Sequence, residues 1–203
     1  VSIPEEALPT TISMSPESII PFVRSEGVLI AQAVPNDIVS DGTLGSMEPI
    51  DAVIQGSPAS LIRGGTPRGS NLFHSFESFS VGDGQRVYFA DPDGIENILS
   101  RVTGGKISTI NGLLGVEGVE GGDGSANLFL FNRNGITFGS GAELDIRGSF
   151  TASTGSDYRS INNQGDTKNV NIQGTDFLTI SVPLGPHLNV SRNTSPPPSF
   201  GTI

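Results

Sequence analysis

The residues able to do chemistry in this 203-residue chain are few and poorly grouped. Gly104-Gly105-Lys106 is the nearest approach to a phosphate-cradling loop, but the upstream glycine is missing and Ile107 stands where Ser or Thr is needed. No Gly-x-Ser-x-Gly elbow occurs to present a nucleophilic serine. His74 and His187 lie far apart and in no metal-ligand spacing, which leaves them structural or exposed roles. Asp91-Pro92-Asp93-Gly94 opens like a calcium loop, yet its third ligand position is Ile95 and its twelfth is Val102. Gly121-Gly122-Asp123-Gly124 is a single copy of a unit that binds calcium in tandem arrays. Asn189-Val190-Ser191 and Asn193-Thr194-Ser195 match a glycosylation pattern that recurs by chance. The expectation is no catalytic residue, no metal and no cofactor.

Composition narrows the partners. The net charge of −10, with no basic stripe, argues against nucleic acid and against an anionic membrane surface. Its plain reading is solubility. Cysteine is absent, which fits export across a second membrane as an unfolded chain and equally fits a domain large enough to fold without disulfides. No apolar run approaches the ~18 residues of a membrane span. Ala31-Gln32-Ala33 has the small-x-small form of a signal-peptidase site, but the apolar stretch before it, Val28-Leu29-Ile30, is too short.

The elements that could position any site are short strands. Gly (27) and Pro (14) are frequent and spread along the chain, and long helix-forming runs are missing. Residues 1–33 read as a loosely packed extension in which Ser15-Pro16-Glu17 caps one short helix. Further on, Val87-Tyr88-Phe89, Leu128-Phe129-Leu130-Phe131, Ile136-Thr137-Phe138, Leu144-Asp145-Ile146 and Phe150-Thr151-Ala152 fit the strand template. Period-two alternation puts Ile136 with Phe138, and Leu144 with Ile146, on one face. Strands starting this close together make a coil of roughly 20 to 25 residues, the size of a solenoid rung. A β-sandwich is the competing architecture. One segment disagrees locally: Ile95, Ile98, Leu99 and Val102 have helical spacing behind an Asp93/Glu96 capping box.

A set of ordered motifs carries more than these patterns do. Ile62-Arg63-Gly64-Gly65 through Asn71-Leu72-Phe73-His74-Ser75-Phe76 begins it, followed by Val87-Tyr88-Phe89, Asn97 to Gly105 and Ile110-Asn111-Gly112. Ala126 to Leu130, Asn132-Arg133-Asn134-Gly135-Ile136, Ala142 to Asp145 and Gly148 to Thr154 complete the order. Together they resemble the filamentous-haemagglutinin-type secretion domain of two-partner secretion, in wording closest to the cyanobacterial branch. The resemblance implies a right-handed parallel β-helix with an N-terminal cap and extra-helical strands, and it implies strand at 95–102. It implies a secreted or cell-surface protein of a Gram-negative-type bacterium, reached through the periplasm and outer membrane. The implied partner is an outer-membrane β-barrel transporter with periplasmic polypeptide-transport-associated domains, the domain being a monomer that touches the outer membrane transiently.

The resemblance also nominates residues. The family's Asn-Pro-Asn-Gly motif corresponds to Asn132-Arg133-Asn134-Gly135, with Arg133 replacing the turn-setting proline, and the nominated residues are Asn132, Asn134, Gly135 and the following Ile136. A second motif region falls on Asp91, Pro92, Asp93 and Gly94, with Arg101 nearby. Asn134 and Gly135 are expected to supply the positive φ of a tight turn. The expected layout is an extension (1–33), a cap (34–58), a β-helix core (59–186) and a segment leading toward a passenger (187–203). The function so implied is secretion targeting and nucleation of β-helix folding for an adhesin or haemagglutinin-like parent. Two rivals stay open beside it. A β-helix polysaccharide-active enzyme would need a convergent acid/base set, and Glu143 and Asp145 stand apart from any Lys or His at rung spacing. A carbohydrate-binding adhesin module would want exposed Trp or Tyr, but Trp is absent and Tyr88 and Tyr158 are the only tyrosines.

Overall fold

The computed structural model describes residues 34–161 and 166–180. The extension, its Ser15-Pro16-Glu17 helix, His187 and the 187–203 segment lie outside these residues. In chain order the strands are β1 (Asp37–Ser40), β2 (Ile50–Ile54), β3 (Ser57–Ile62), β4 (Thr66–Arg68), β5 (Asn71–Ser80), β6 (Arg86–Asp91) and β7 (Asn97–Val102). They continue with β8 (Ser108–Ile110), β9 (Leu113–Gly118), β10 (Asn127–Asn132), β11 (Ile136–Phe138), β12 (Glu143–Asp145), β13 (Phe150–Ser153), β14 (Asp157–Ile161) and β15 (Thr167–Asn171). A 3-10 turn, Thr175–Thr179, follows.

Successive coils stack strand on strand. The first sheet pairs β3, β6, β9 and β12 in parallel. The second pairs β5, β7, β10 and β13 in parallel. The third pairs β8 with β11, and Val81 bridges Ile110 to extend it backwards. The result is a parallel β-helix of about three turns. Asn71, Asn97 and Asn127 occupy one position of successive coils and stand 26 and 30 residues apart. The coils are therefore longer than the expected 20 to 25, and the second is the longer because it carries both the 103–107 and the 119–126 loops.

The core follows from alternation on both main sheets. Ile62, Val87, Phe89, Leu114 and Val116 of the first sheet point inward against Leu72, Phe76, Ile98, Val102, Leu128 and Leu130 of the second. Phe79 stacks on Phe89 at 5.6 Å between centroids and tilts against Phe76 at 5.4 Å. Each such side chain contributes about 1.5–3 kcal/mol by leaving water. At the last coil this cover ends. Phe138 and Leu144 take inward positions in register with Ile110 and Leu114, but they are 46% and 49% exposed. The expected burial alternation thus fails at β11 and β12, where no described coil lies above them.

Of the segment 95–102, residues 97–102 form strand β7, buried along its whole length, while Ile95 closes the turn before it. Ile98 and Val102 point into the helix interior while Leu99 joins an outer apolar cluster. At the opposite end, β2 turns into β3 through Gln55 and Gly56, both at positive φ (53° and 75°), the twist that a two-residue hairpin needs. β1 and β4 lie antiparallel along β5, so antiparallel strands cover the first coil's edge and guard it against foreign pairing. Outside the helix, the antiparallel β14–β15 hairpin and the 3-10 turn cover Phe73, Leu99, Phe129 and Phe131 with Tyr158, Val170, Ile172 and Phe177.

Candidate functional site

Three nominated groups stand at three places rather than in one pocket. The first is the corner between β10 and β11. Asn132 ends β10 with its side chain wholly buried. Its Nδ2 donates to Lys106 O (3.0 Å) and Ser108 Oγ (2.9 Å) of the preceding coil, and its Oδ1 accepts the Asn134 amide at 2.9 Å. Asn134 Nδ2 then donates to Gly104 O at 2.6 Å. Gly135 carries the positive φ alone, at 130°, and Asn134 is not among the residues with positive φ. Gly135 N donates to Asn132 O and Gly135 O accepts Ser108 N, which delivers Ile136 into register with Ser108. Arg133 is exposed at the tip. The corner's bonds named above run from Asn132, Asn134 and Gly135, and the turn closes with arginine in the place of proline.

The second place is the corner after β6. Asp91 is 1% exposed and its Oδ2 accepts the Ala126 amide at 3.2 Å. Burial raises the carboxyl's pKa, against the loop amides of Ala126, Gly124 and Ser125 that lower it. Pro92, Asp93 and Gly94 turn the chain, with Ile95 N bonded to Pro92 O and Gly94 at φ 78°. The two corners use one device in opposite directions. Asn132 reaches back to the loop of the coil before it, while Asp91 reaches forward to the loop of the coil after it.

Arg101 belongs to neither corner. It lies on the outer face of β7, 8% exposed, beneath the 3-10 turn. Its Nε donates to Ser75 Oγ at 2.8 Å and its Nη1 to Ile172 O and Gly174 O, both at 2.9 Å, while the guanidinium sits 4.8 Å from the Phe177 ring centroid. Ser75 passes the contact to Asp41 Oδ2 at 2.5 Å, and Thr103 Oγ1 adds a 2.9 Å bond to the same oxygen. Burial alone would raise the Asp41 carboxyl, but Ser75, Thr43 and Thr103 outweigh it and hold it below the usual carboxylate range. Arg101 thereby ties the segment after β1, the second sheet and the outer hairpin's C-terminal end into one cluster.

Three further groupings escaped the sequence reading. Asn97 Nδ2 donates to Asn71 Oδ1 (2.9 Å) and Asn127 Nδ2 to Asn97 Oδ1 (3.0 Å), an asparagine ladder along the start of the second sheet. The signal was present as Asn followed by two apolar residues at 71, 97 and 127. Asp145, set apart in sequence from any base, accepts from Tyr88 Oη (2.8 Å) and Gln55 Nε2 (2.9 Å), and Arg86 Nη2 donates to Tyr88 Oη at 2.7 Å. Burial pushes the Tyr88 phenol up to about 12, with Asp145 adding to it. Last, His74 is wholly buried beside Phe76 and Phe89, in register with Ser100. Desolvation alone lowers it to about 4.

Among the described residues no three His, Cys, Asp or Glu side chains gather as a metal would require, and no helix is long and apolar enough to cross a membrane. The family model described as the TPS secretion domain matches residues 36–195. The chain is also similar to the "Heme/hemopexin-binding protein" of Haemophilus influenzae, 32% identical over 91 residues, 45% of this chain. Those residues span 9% of that relative's length. No solved structure matches the chain.

Proposed function

The chain belongs to the TPS secretion domain family, and from that premise we propose that it is the recognition and fold-nucleating domain of a longer exported surface protein. The observation that carries this reading is the extent of the match: it takes in both nominated corners, the β-helix and the outer hairpin together. In this reading the domain reaches the periplasm unfolded and is recognised by the periplasmic transport-associated domains of an outer-membrane β-barrel transporter. It then folds outside the cell, where its stacked coils template the chain behind them. An extended, partly folded chain offers its edges to the transporter by strand addition. The β10–β11 corner, with Asn132, Asn134, Gly135 and Ile136, is the first segment we assign to recognition, and Asp91 to Gly94 the second. The parent is adhesin- or haemagglutinin-like, on the strength of the family resemblance, and the domain acts as a monomer.

We read the domain as one that performs no catalysis. Asp145 accepts from Tyr88, which in turn accepts from Arg86, and a phenol pushed up to about 12 holds its proton too tightly to serve as a base. That phenol is fully buried.

The test uses the purified chain and the periplasmic region of the transporter encoded beside its gene, with binding followed for urea-unfolded chain diluted into the assay. Saturable binding, weakened when Asn132 and Asn134 are both replaced by Ala, is expected. Equal binding to an unrelated unfolded chain of similar charge would end the proposal.

A further inference from the structure

We propose that Asn134-Gly135 is a site of spontaneous chemical modification that is open in the unfolded chain and shut by the folded turn. Glycine after asparagine leaves the next backbone nitrogen unshielded by a side chain. In the unfolded chain the Gly135 nitrogen attacks Cγ of the Asn134 carboxamide. The new C–N bond closes a five-membered imide, and the side-chain nitrogen departs as ammonia carrying the proton lost by Gly135. Water then opens the ring at one carbonyl or the other, leaving aspartate or isoaspartate at position 134. Water is the only co-reactant.

The folded corner obstructs each part of this reaction. The nucleophile is occupied, because Gly135 N donates to Asn132 O at 3.1 Å. The electrophile is pinned, because Asn134 Nδ2 donates to Gly104 O at 2.6 Å and to Asn132 Oδ1 at 3.2 Å. The backbone between them is held as well, since Asn134 N donates to Asn132 Oδ1 at 2.9 Å.

The same contacts reject the product. An aspartate has no N–H to offer, so Gly104 O loses its donor and the new carboxylate faces both Gly104 O and Asn132 Oδ1, acceptor against acceptor. An isoaspartate lengthens the main chain inside a corner whose exit is set by Ser108 N to Gly135 O at 3.0 Å. Chains that wait unfolded therefore accumulate a mark that keeps this corner from closing, and chains that have folded are protected. The proposal concerns the turn's own chemistry and requires no transporter, so it stands or falls apart from the export reading.

The whole chain is aged at mildly alkaline pH in two portions, one folded in buffer and one held in urea. Peptide mapping reads acid at 134, and methylation by an isoaspartyl methyltransferase reads isoaspartate; Asn111-Gly112, the other such step, reports on the unfolded reaction at a second place. Both portions are then refolded and followed by circular dichroism and urea titration. Reaction at 134 is expected to be at least about tenfold slower in the folded portion, the factor that about 1.4 kcal/mol of opening free energy imposes. Molecules bearing acid at 134 are expected in the fraction that fails to regain the native urea midpoint. An Asn134→Gln chain, whose longer side chain closes the imide ring far less readily, is expected to lose less refolding competence on ageing in urea than the parent chain, since of the two steps only Asn111-Gly112 still reacts. Equal rates in the two portions overturn the proposal, whatever the variant does. So does native-like refolding of chains carrying acid at 134, or an equal loss of competence in the aged Asn134→Gln chain.

Discussion

Tyr88 donates to Asp145 across Gly115, which lies between them in the register of the first sheet. A side chain at 115 would occupy the space of the Tyr88 ring, so the glycine lets a residue of one coil reach two coils on. Tyr88→Phe should lower stability by about 1.5–3 kcal/mol, the range for hydrogen bonds to charged groups. Gly115→Ala should do at least as much by displacing the ring. A urea midpoint that falls at constant slope would report this directly. An unmoved midpoint for Tyr88→Phe would mean the contact contributes nothing net.

The asparagine ladder makes a positional prediction. Asn97 is its middle rung, giving a hydrogen bond to Asn71 and taking one from Asn127. Asn97→Ala strands the buried Asn71 Oδ1, at about 1–3 kcal/mol, while Asn127 Nδ2 keeps its bond to Glu96 O at 3.2 Å. Asn127→Ala, at a less buried end, should cost less in the same urea titration. The reverse order would show that the ladder is incidental to the stacking.

Much of the fold was legible because short alternating strands and Gly/Asn corners survive in the sequence of β6, β10, β11 and β13. The helical spacing of Ile95, Ile98, Leu99 and Val102 misled for a definite reason. Ile98 and Val102 fill the interior while Leu99 packs under the outer hairpin, and a strand covered on both faces loses its alternation. Arg101 was legible as a motif neighbour but not as a buried tie. Its partners Ile172 and Gly174 lie 71 and 73 residues away and offer only backbone oxygens, which no side-chain pattern announces. Phe138 marks the opposite error. Its inward position was readable, but not that no described coil covers it, so Phe138→Ala should cost well under the 3–5 kcal/mol of a buried phenylalanine.

Arg101→Met keeps a long apolar stem over Phe177 and removes the bonds to Ser75, Ile172 and Gly174. The outer hairpin should loosen while the coils stay stacked. Amide exchange should accelerate for Tyr158, Val170 and Ile172 and stay slow for Ile98 and Leu128. Uniform acceleration through both sets would mean that hairpin and coils open as one unit.

His74 sets an acid limit. In the unfolded chain it takes up a proton near 6.5, whereas in the folded chain burial delays this to about 4. Between those values the unfolded state holds more protons, so the stability His74 permits is complete above about pH 6.5 and drains away as pH falls toward 4. A shift of that size corresponds to about 3 kcal/mol. Asp37 and Asp41, held below the usual carboxylate range, give up their contribution only at lower pH, which separates the two windows. The urea midpoint should fall between about pH 7 and about pH 5, and His74→Leu should flatten that slope. An equal slope in the variant would place the acid sensitivity elsewhere.

The account rests on export, and export can be measured in the cell. A strain expressing the natural parent protein is compared with one lacking the neighbouring transporter gene, and with one carrying alanine at Asn132 and Asn134 in the parent. Surface-exposed protein is read by its susceptibility to added protease, and retained protein by periplasmic extraction. The account predicts surface protein in the first strain, with periplasmic retention and loss of surface signal in the other two. Undiminished surface protein in the strain without the transporter would contradict it.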